Sequence, residues 1–326
     1  MPAGARGHVA HVRGTVRGHA CGTVRAVSAT PAAGRTEVSL GTATPGGGFP
    51  VYGQAVADTI NEVDPTLDVR PGNTKGSTEN VPLLEARAVD LALVQGEVAH
   101  EALSGIGRAP ADLRILAAMY STPGMFVVRA DSPYRSIGDL RGRPVAFGAR
   151  GSGLIILARY VLDGLGLDRD RDFQAVLLDA AGDGPAMVMD GRVAALWGGG
   201  IGWPGFTAVA RGAAGARFLV PDLDGIHRIQ TRHPFLKIMR VPANSYPGQT
   251  AELHSVGSWS FIMTRPTLPD DVAYRLARAL HRGEAALGAR LAQARETTAA
   301  NTAAAVARPE LLHPGVRRYL AEVGFL

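Results

Sequence analysis

The sequence predicts an α/β protein with parallel-rich sheets flanked by helices. Apolar, strand-like segments alternate with amphipathic helical segments along most of the chain, and this repetition is typical of parallel sheets with helices on both faces. Loops rich in Gly, Ser and Thr follow several strands and precede helices, at the edge where such sheets bind ligands. The length of 326 residues suits two compact domains better than one.

The first predicted unit begins at Glu37 and alternates strands with helices. Its strands are short apolar runs, and its helices carry apolar residues three and four positions apart. The predicted strands are Glu37–Leu40, Leu67–Arg70, Asp90–Gln95 and Leu113–Tyr120, and the predicted helices are Phe49–Asp64 and Glu79–Ala88. The first helix has the clearest pattern, because Tyr52, Val56 and Ile60 share one face.

A second predicted unit begins near Met125 and continues the alternation. Its predicted strands are Met125–Val128, Pro144–Phe147, Phe173–Leu178, Val193–Trp197, Arg217–Val220 and Leu236–Val241, and its helices are Ser136–Leu140, Gly153–Leu165 and Pro185–Asp190. A long apolar strand, Ser258–Met263, and helices from Asp270 onward then complete the chain.

Residues 1–34 differ from the rest in composition. The first 36 residues hold five arginines and no acid, and without these five the chain carries 29 basic and 29 acidic side chains. We expect a disordered leader or a start assigned too early; it contains the single cysteine, Cys21, but no visible signal peptide or lipid-anchor motif. The neutral body argues against nucleic acid as a partner, and no apolar stretch is long enough for a membrane span.

Three loops share one design, in which small residues follow a strand and open a helix. They are T-P-G-G-G-F (Thr44–Phe49), K-G-S-T-E-N (Lys75–Asn80) and R-G-S-G (Arg150–Gly153). Small residues leave backbone N–H groups uncovered, and the helix dipole adds partial positive charge. Each loop alone suits an ordinary cap or turn, but three at corresponding sheet edges favour one anion-binding cleft.

Polar and aromatic residues at the same edges are further candidates for the cleft. Gln95 ends a strand, Tyr120 ends the next, and Tyr52 lies on the first helical turn; Trp197 and Trp203 flank a G-G-G-I-G loop. The amide of Gln95 needs a partner wherever it is buried. The loops lack the spacing of a P-loop or dinucleotide fingerprint, and the histidines show no metal-ligand spacing, so we expect no cofactor and no metal.

Motifs along most of the chain resemble those of a transport family. The segments L-L-E-A-R-A-V-D-L-A-L-V-Q (83–95) and S-I-G-D-L-R-G-R-P-V-A-F-G (136–148) look like the two-lobed periplasmic solute-binding proteins. In order, G-T-A-T-P-G-G-G-F, G-S-T-E-N, L-V-Q, G-A-R-G-S-G, Y-P-G-Q and H-P-G-V-R-R-Y resemble motifs of the TAXI class, the solute receptors of TRAP transporters. The resemblance runs from about Arg35 to Leu326.

This resemblance implies a two-lobed periplasmic-binding-protein fold of type II with a hinged cleft. Lobe I would comprise residues 35–123 and 255–326, and lobe II residues 124–254. The protein would be a monomeric, periplasmic or extracytoplasmic receptor, not an enzyme. It would bind a small anionic solute, an amino acid or a carboxylate, and deliver it to membrane-embedded TRAP permease subunits driven by an ion gradient.

The resemblance also implies a set of ligand-binding positions. Carried over by motif, they are Gly47, Gly48, Phe49, Tyr52, Ser77, Thr78, Asn80, Gln95, Ser152, Gly153 and Gly199. Our reading of the residues adds Tyr120, and Arg150 as a bidentate grip on a carboxylate; Glu97 is a candidate to receive a ligand ammonium. Leu154 replaces the threonine that usually follows G-S-G, which suggests a ligand unlike the glutamate-like solutes expected of the class.

Other functions compete with this interpretation. An enzyme on the same two-lobed fold, such as a transferase or a precursor synthase, would need a nucleophile, a general acid or a cofactor lysine in the cleft, and Lys75 is the only lysine near a loop. A cytosolic effector sensor would suit a missing export signal but usually carries a DNA-binding module. A degenerate receptor without a partner permease is a further alternative.

Overall fold

The computed structural model describes residues 34–306 and 308–326, so the expectations for residues 1–33, Cys21 among them, lie outside it. Within the described range the strands are Thr36–Gly41 (β1), Leu67–Gly72 (β2), Leu91–Val94 (β3), Arg114–Arg129 (β4), Pro144–Ala149 (β5), Gln174–Leu178 (β6), Ala195–Gly199 (β7), Ala216–Leu219 (β8), Lys237–Val241 (β9) and Leu253–Thr264 (β10).

Helices connect most of these strands. They are Gly48–Val63 (α1), Ser77–Glu85 (α2), Gly96–Ser104 (α3), Gly153–Gly164 (α4), Arg169–Asp172 (α5), Gly184–Met189 (α6), Pro204–Arg211 (α7), Leu223–Arg232 (α8), Asp270–Arg282 (α9), Glu284–Arg290 (α10), Ala299–Ala305 (α11) and Pro314–Glu322 (α12). Short 3₁₀ turns lie at Ile137–Leu140, Ala181–Asp183, Ala292–Glu296 and Pro309–Leu311.

The strands form two parallel groups joined by two long antiparallel strands. In one group β1 pairs in parallel with β2 and β3, and in the other β5 pairs in parallel with β6 and β7. Between them lie β10 and β4, giving the order β2-β1-β3-β10-β4-β7-β5-β6, while β8 and β9 pair with β4 and β10. The expected parallel pairs are present, and the antiparallel pairs of β4 and β10 add a mixed centre.

The apolar core divides in the same way. One cluster of buried side chains runs from Val38 to Tyr120 and resumes from Ile262 to Leu320. Two further clusters lie between Met125 and Val256. We call the two bodies lobe I and lobe II. The predicted boundaries at 123/124 and 254/255 fall on β4 and β10 and stay a prediction.

Two features of the fold differ from the sequence prediction. The expected strands Leu113–Tyr120 and Met125–Val128 are parts of one strand, β4, which continues through Pro123 and Gly124. Proline and glycine usually end a strand or mark its edge, but here Pro123 lies opposite Gly257 of β10. Helices α3, α5, α7 and α8 were not expected; α3 matters most, because it begins directly after Gln95.

Candidate functional site

A cavity of about 60 Å³ lies between the two lobes. By the same measure one water molecule needs roughly 10–15 Å³, so the cavity has room for several. Segments of both lobes contribute to its walls. The lining residues are Ala43, Thr44, Gly47, Gly48, Phe49, Lys75, Gly76, Ser77, Gln95, Tyr120, Thr122, Ala149, Ser152, Gly153, Leu154, Ala181, Gly199 and Trp203.

Three helices begin at this cavity, two from lobe I and one from lobe II. The residues before α1 and α2, Gly47 and Gly76, supply no capping side chain. Ser152 caps α4 by accepting a hydrogen bond from the backbone of Leu154 at 3.2 Å. The first turns of α1 and α4 contain no acid. The cavity therefore faces the positive ends of three helix dipoles, an arrangement that favours an anion.

One corner of the cavity gathers hydrogen-bond donors around the start of α1. A methyl group added to Gly48 would lie 3.4 Å from the hydroxyl oxygen of Tyr120 and 3.5 Å from Nε1 of Trp203. Burial raises the pKa of Tyr120 well above its usual value, and the neighbouring Tyr52 adds to the rise. Tyr120 therefore remains a neutral phenol that can donate a hydrogen bond, and the indole N–H of Trp203 can only donate. This corner of the cavity thus offers two hydrogen-bond donors.

Gln95 supplies the second group of polar atoms. Its side chain is 4% exposed, and its Nε2 has no hydrogen-bond partner among the described residues. Its backbone N–H donates to Oγ of Ser77 at 3.0 Å. The same side chain lies beside the buried carboxyl of Glu97, whose pKa it lowers, so Gln95 connects the cavity wall with the carboxyl behind it.

Contacts between the lobes surround the cavity. The backbone N–H and the hydroxyl of Thr78 both donate to the carbonyl of Gly151, at 3.2 and 2.9 Å. On another side the backbone N–H of Ala181 donates to Oγ1 of Thr44 at 3.3 Å. Farther out, the hydroxyl of Tyr160 donates to Glu101 at 2.8 Å. The structure therefore shows the lobes in a closed arrangement.

The structure brings most of the predicted binding residues together at this cavity. Those that line it are Gly47, Gly48, Phe49, Ser77, Gln95, Tyr120, Ser152, Gly153 and Gly199. Thr78 lies at its edge in the contact with Gly151. The arrangement follows from the topology, since the chain enters α1, α2 and α4 from β1, β2 and β5. Ligand contact by these residues stays a prediction.

Two predicted residues lie behind the wall and support it. Tyr52 is buried, and its hydroxyl bonds to Thr297 at 2.9 Å while its ring packs edge-on against Tyr120 at a centroid distance of 5.2 Å. Asn80 is buried, and its Nδ2 donates to the carbonyls of Thr42 and Leu93 at 2.8 and 2.7 Å. Both side chains therefore position neighbouring segments instead of facing the cavity.

Arg150 points away from the cavity. Its side chain is 68% exposed, and its Nε lies 3.8 Å from Asp179. The expected bidentate grip on a carboxylate has no support in this arrangement, because the side chain leaves the loop towards solvent. Exposed ion pairs of this kind contribute little.

We expect Arg150→Ala to leave solute affinity within about twofold, since screening by water weakens an exposed charge outside the site. Isothermal titration calorimetry on the variant and the wild-type protein measures this. Arg171→Ala, which removes an exposed charge in the same lobe, is the matched control. A loss of affinity in Arg150→Ala but not in Arg171→Ala would show that Arg150 contributes to solute binding.

Glu97 is fully buried behind the cavity wall and does not line it. Neither carboxyl oxygen has a hydrogen-bond partner of good geometry among the described residues. Burial raises the pKa of Glu97 to about 7. The folded chain therefore holds this proton at pH values where the unfolded chain, with a carboxyl pKa near 4.5, has lost it. The expected role of receiving a ligand ammonium does not fit this position.

The free energy of unfolding should fall as the pH rises from about 4.5 through about 7, because the folded state binds the extra proton in that window. Glu97→Gln is expected to remove this dependence and to stabilise the protein by roughly 1–3 kcal/mol at pH 8, with little effect at pH 4. Scanning calorimetry at several pH values measures the difference, with the exposed Glu310→Gln as control. Parallel pH–stability curves for wild type and Glu97→Gln would contradict it.

Several lining residues were absent from the predicted site. Thr44, Lys75 and Gly76 lie inside the predicted loops, so they would have been predicted if every residue of those loops had been included in the site. Thr122 follows Tyr120 by two positions on β4, and the period of a strand places both on one face. Ala181 comes from a 3₁₀ turn that no motif marks.

The described residues contain no group of three or more His, Cys, Asp or Glu side chains placed to hold a metal ion. Within the same part of the chain, no helix has the length and apolar character that crossing a bilayer requires. Lys75 is the one charged side chain among the described lining residues; it is 75% exposed, and its Nζ lies 3.8 Å from Glu79.

Two lobes around a cavity at helix N-termini define a class of fold, that of the two-lobed periplasmic binding proteins. The chain belongs to the NMT1-like family, whose family model matches residues 40–324.

Solved structures share this architecture. The alkanesulfonate-binding protein SsuA of Xanthomonas axonopodis is similar with a TM-score of 0.50 and 17% identity, over 89% of this chain and 85% of that one. For the periplasmic aliphatic sulphonate binding protein SsuA of Escherichia coli the values are 0.50 and 19%, over 88% and 83%. A protein of Bordetella bronchiseptica reaches 0.56 at 14% identity, over 89% and 98%.

Proposed function

We propose that this protein is an extracytoplasmic solute receptor that closes its two lobes around a small anion. The observation that carries the proposal is the set of donors around one cavity: three helix N-termini from two lobes, with the Tyr120 hydroxyl and the Trp203 indole beside the start of α1. No acid is among the described lining residues, and donors at helix N-termini favour a negatively charged group.

Binding would operate as a shift between open and closed forms. An anion that touches donors of both lobes stabilises only the form in which those donors meet. β4 and β10 connect the lobes, and glycines on two neighbours of β4 permit close backbone approach. A methyl group added to Gly257 of β10 would lie 2.0 Å from the carbonyl of Thr122, and one added to Gly199 of β7 would lie 2.6 Å from that of Pro123. We place the hinge at these strands.

The finer proposal is a receptor of the TAXI class that delivers its solute to a TRAP-type permease. Its support is the order of the sequence motifs, together with the placement of three of them, G-G-G-F, G-S-T-E-N and G-S-G, at the cavity. The sulphonate-binding function stated for the SsuA proteins supports the broader idea of a receptor for anions. We further propose that the protein acts as a monomer outside the cytoplasm.

The cavity offers little to the competing enzyme interpretation. Among its described lining residues there is no histidine, cysteine, aspartate or glutamate. Lys75, the residue that a cofactor-binding enzyme would use, is exposed and lies beside Glu79. Electrophilic and nucleophilic catalysis need such groups positioned at the reacting atoms.

A thermal-shift screen of the purified chain tests the proposal. The panel contains carboxylates, amino acids, sulfonates, phosphonates, sugars and nucleosides. A ligand present at 100 times its Kd stabilises the folded state by about 2.7 kcal/mol, and we expect this from one or more small anions. Stabilisation by uncharged sugars or nucleosides alone would contradict the proposal.

Thr78→Val tests the contact between the lobes. It removes the hydrogen bond from the Thr78 hydroxyl to Gly151, which only the closed form makes. One hydrogen bond contributes about 0.5–1.5 kcal/mol, so affinity should fall about two- to tenfold, as measured by calorimetry with the tightest anion of the screen. Thr231→Val, on the exposed face of α8, is the control. An unchanged affinity for Thr78→Val would mean that this contact is unrelated to binding.

A further inference from the structure

The closed cavity combines donors with aromatic surface and offers no anionic acceptor. Phe49 and Tyr120 pack edge-on with ring centroids 6.4 Å apart. Trp203 approaches the same corner, with Cδ1 3.0 Å from where a methyl group on Gly48 would lie. We call Phe49, Tyr120 and Trp203 the aromatic wall. Its carbon surface is suited to the apolar body of a solute.

The polar atoms beside the aromatic wall chiefly donate hydrogen bonds. The hydroxyl of Ser77 accepts from the Gln95 backbone, which leaves its own hydrogen available. Gln95 Nε2 makes no hydrogen bond of good geometry among the described residues and lies near the Glu97 carboxyl. The Tyr120 hydroxyl and the Trp203 indole converge near Gly48. A carboxylate, which only accepts, is complementary to such a set.

An ammonium group has no anionic partner in this cavity. Two carboxyl groups, Glu97 and Glu296, lie behind the wall, and neither is among the described lining residues. Glu296 already accepts hydrogen bonds from the backbone and the hydroxyl of Ser121 at 2.6 and 2.9 Å. Burial raises the pKa of each of these carboxyls. A buried ammonium without a charged partner is strongly disfavoured.

The charged side chains of the helices around Glu97 are paired with one another and not with Glu97. On α3, Glu101 adds a like charge that raises the Glu97 pKa further. Arg159 and Tyr160 of α4 both bond to Glu101. The other neighbours are Ser258 of β10 and Gln95, two neutral groups whose hydrogen bonds lower the Glu97 pKa. Among the described residues of α3, α4 and β10, no cationic side chain pairs with Glu97 to stabilise its ionised form.

Resting on the proposed receptor function, we propose that the solute is a small monocarboxylate with an apolar body and no ammonium group. Its carboxylate would meet the helix N-termini and Gln95, and its body would lie along the aromatic wall. The site would thereby select against the corresponding α-amino acid.

Pairs of acids that differ only by the α-amino group test this inference in calorimetry on the full chain. The pairs are butanoate with 2-aminobutanoate, 4-methylpentanoate with leucine, and 3-phenylpropanoate with phenylalanine; glutarate with glutamate adds a second charge. We expect the deaminated monocarboxylate to bind at least about tenfold more tightly than its amino acid.

Each other outcome overturns the inference in a recognisable way. Equal or tighter binding of an amino acid, or binding of glutarate alone, would overturn it and leave the anion receptor intact. If none of the acids binds while sulfonates or phosphonates do, the carboxylate class is wrong but the receptor stands. If no anion binds, the proposed function fails as well.

A charge change at Gln95 adds a readout that a merely structural role would not produce. Gln95→Glu replaces the donor with an acceptor, so at pH 8 it should weaken binding of the monocarboxylate about tenfold or more and reduce the preference over the amino acid. Gln174→Glu, an exposed position in lobe II, is the control. An equal loss for both members of a pair would contradict the proposed contact.

Discussion

Gly153→Ala is expected to weaken solute binding strongly while leaving each lobe folded. Gly153 is the first residue of α4 in lobe II, and it packs directly against lobe I. An added methyl carbon would lie 2.6 Å from Cβ of Gln95, 2.9 Å from its Oε1 and 3.0 Å from Oγ of Ser77. These distances leave no room for the carbon, so the lobes could close only with a shift at the cavity.

Overpacking costs about 1–3 kcal/mol, so we expect affinity to fall about 10- to 100-fold. The free protein should keep its melting temperature, because the open form relieves the clash and alanine suits a helix better than glycine. Calorimetry with the tightest carboxylate of the panel, together with thermal unfolding, measures both. Gly138→Ala is the control, since its nearest neighbour would be Ser136 Oγ at 3.6 Å. Wild-type affinity in Gly153→Ala would contradict closure at this contact.

Gln95→Leu is the second change with a large expected effect, and its sign differs between stability and binding. The free protein loses a buried amide whose Nε2 has no described partner, so its stability should stay level or rise. The complex loses a donor to a charged group, which contributes about 1.5–3 kcal/mol. Affinity should therefore fall about 10- to 100-fold.

Thermal unfolding with and without the carboxylate separates the two effects in one experiment. For Gln95→Leu we expect an equal or higher melting temperature without ligand and a much smaller shift with it. Gln174→Leu serves as control, because that side chain is exposed and bonds only to the carbonyl of Gly142 at 2.9 Å. A destabilised free protein with unchanged affinity would make Gln95 a structural residue.

The loops that form the cavity could be predicted from short sequence patterns, because the start of a helix depends mainly on residues close together in sequence. Small residues at 47–48, 76–77 and 152–153 suit the start of a helix after a strand, because Gly and Ser are favoured at the N-cap. The α/β repetition then brings these starts to one edge. The strand order was not predictable in this way, because β10 enters between β3 and β4 from far along the chain.

Single side-chain directions were the least predictable part of the site. Arg150 adjoins Gly151 in a cavity loop, but it points to solvent, where its charge keeps its hydration. Glu97 lies two residues after Gln95, but its carboxyl is fully buried in the first turn of α3, beside Ser258 of β10. Trp197 and Trp203 were both candidates for the cleft, but only Trp203 lines the cavity. Trp197 is fully buried, and its Nε1 donates to the carbonyl of Leu154 at 2.8 Å. Which way such side chains point depends on packing between segments distant in sequence.

A crystal structure of the protein with its tightest carboxylate tests the central claim most directly. The account predicts carboxylate oxygens within about 2.7–3.2 Å of donors from both lobes, with Gln95 Nε2 on one side and the start of α4 on the other. A carboxylate held by one lobe only, or bound away from the three helix N-termini, would contradict it.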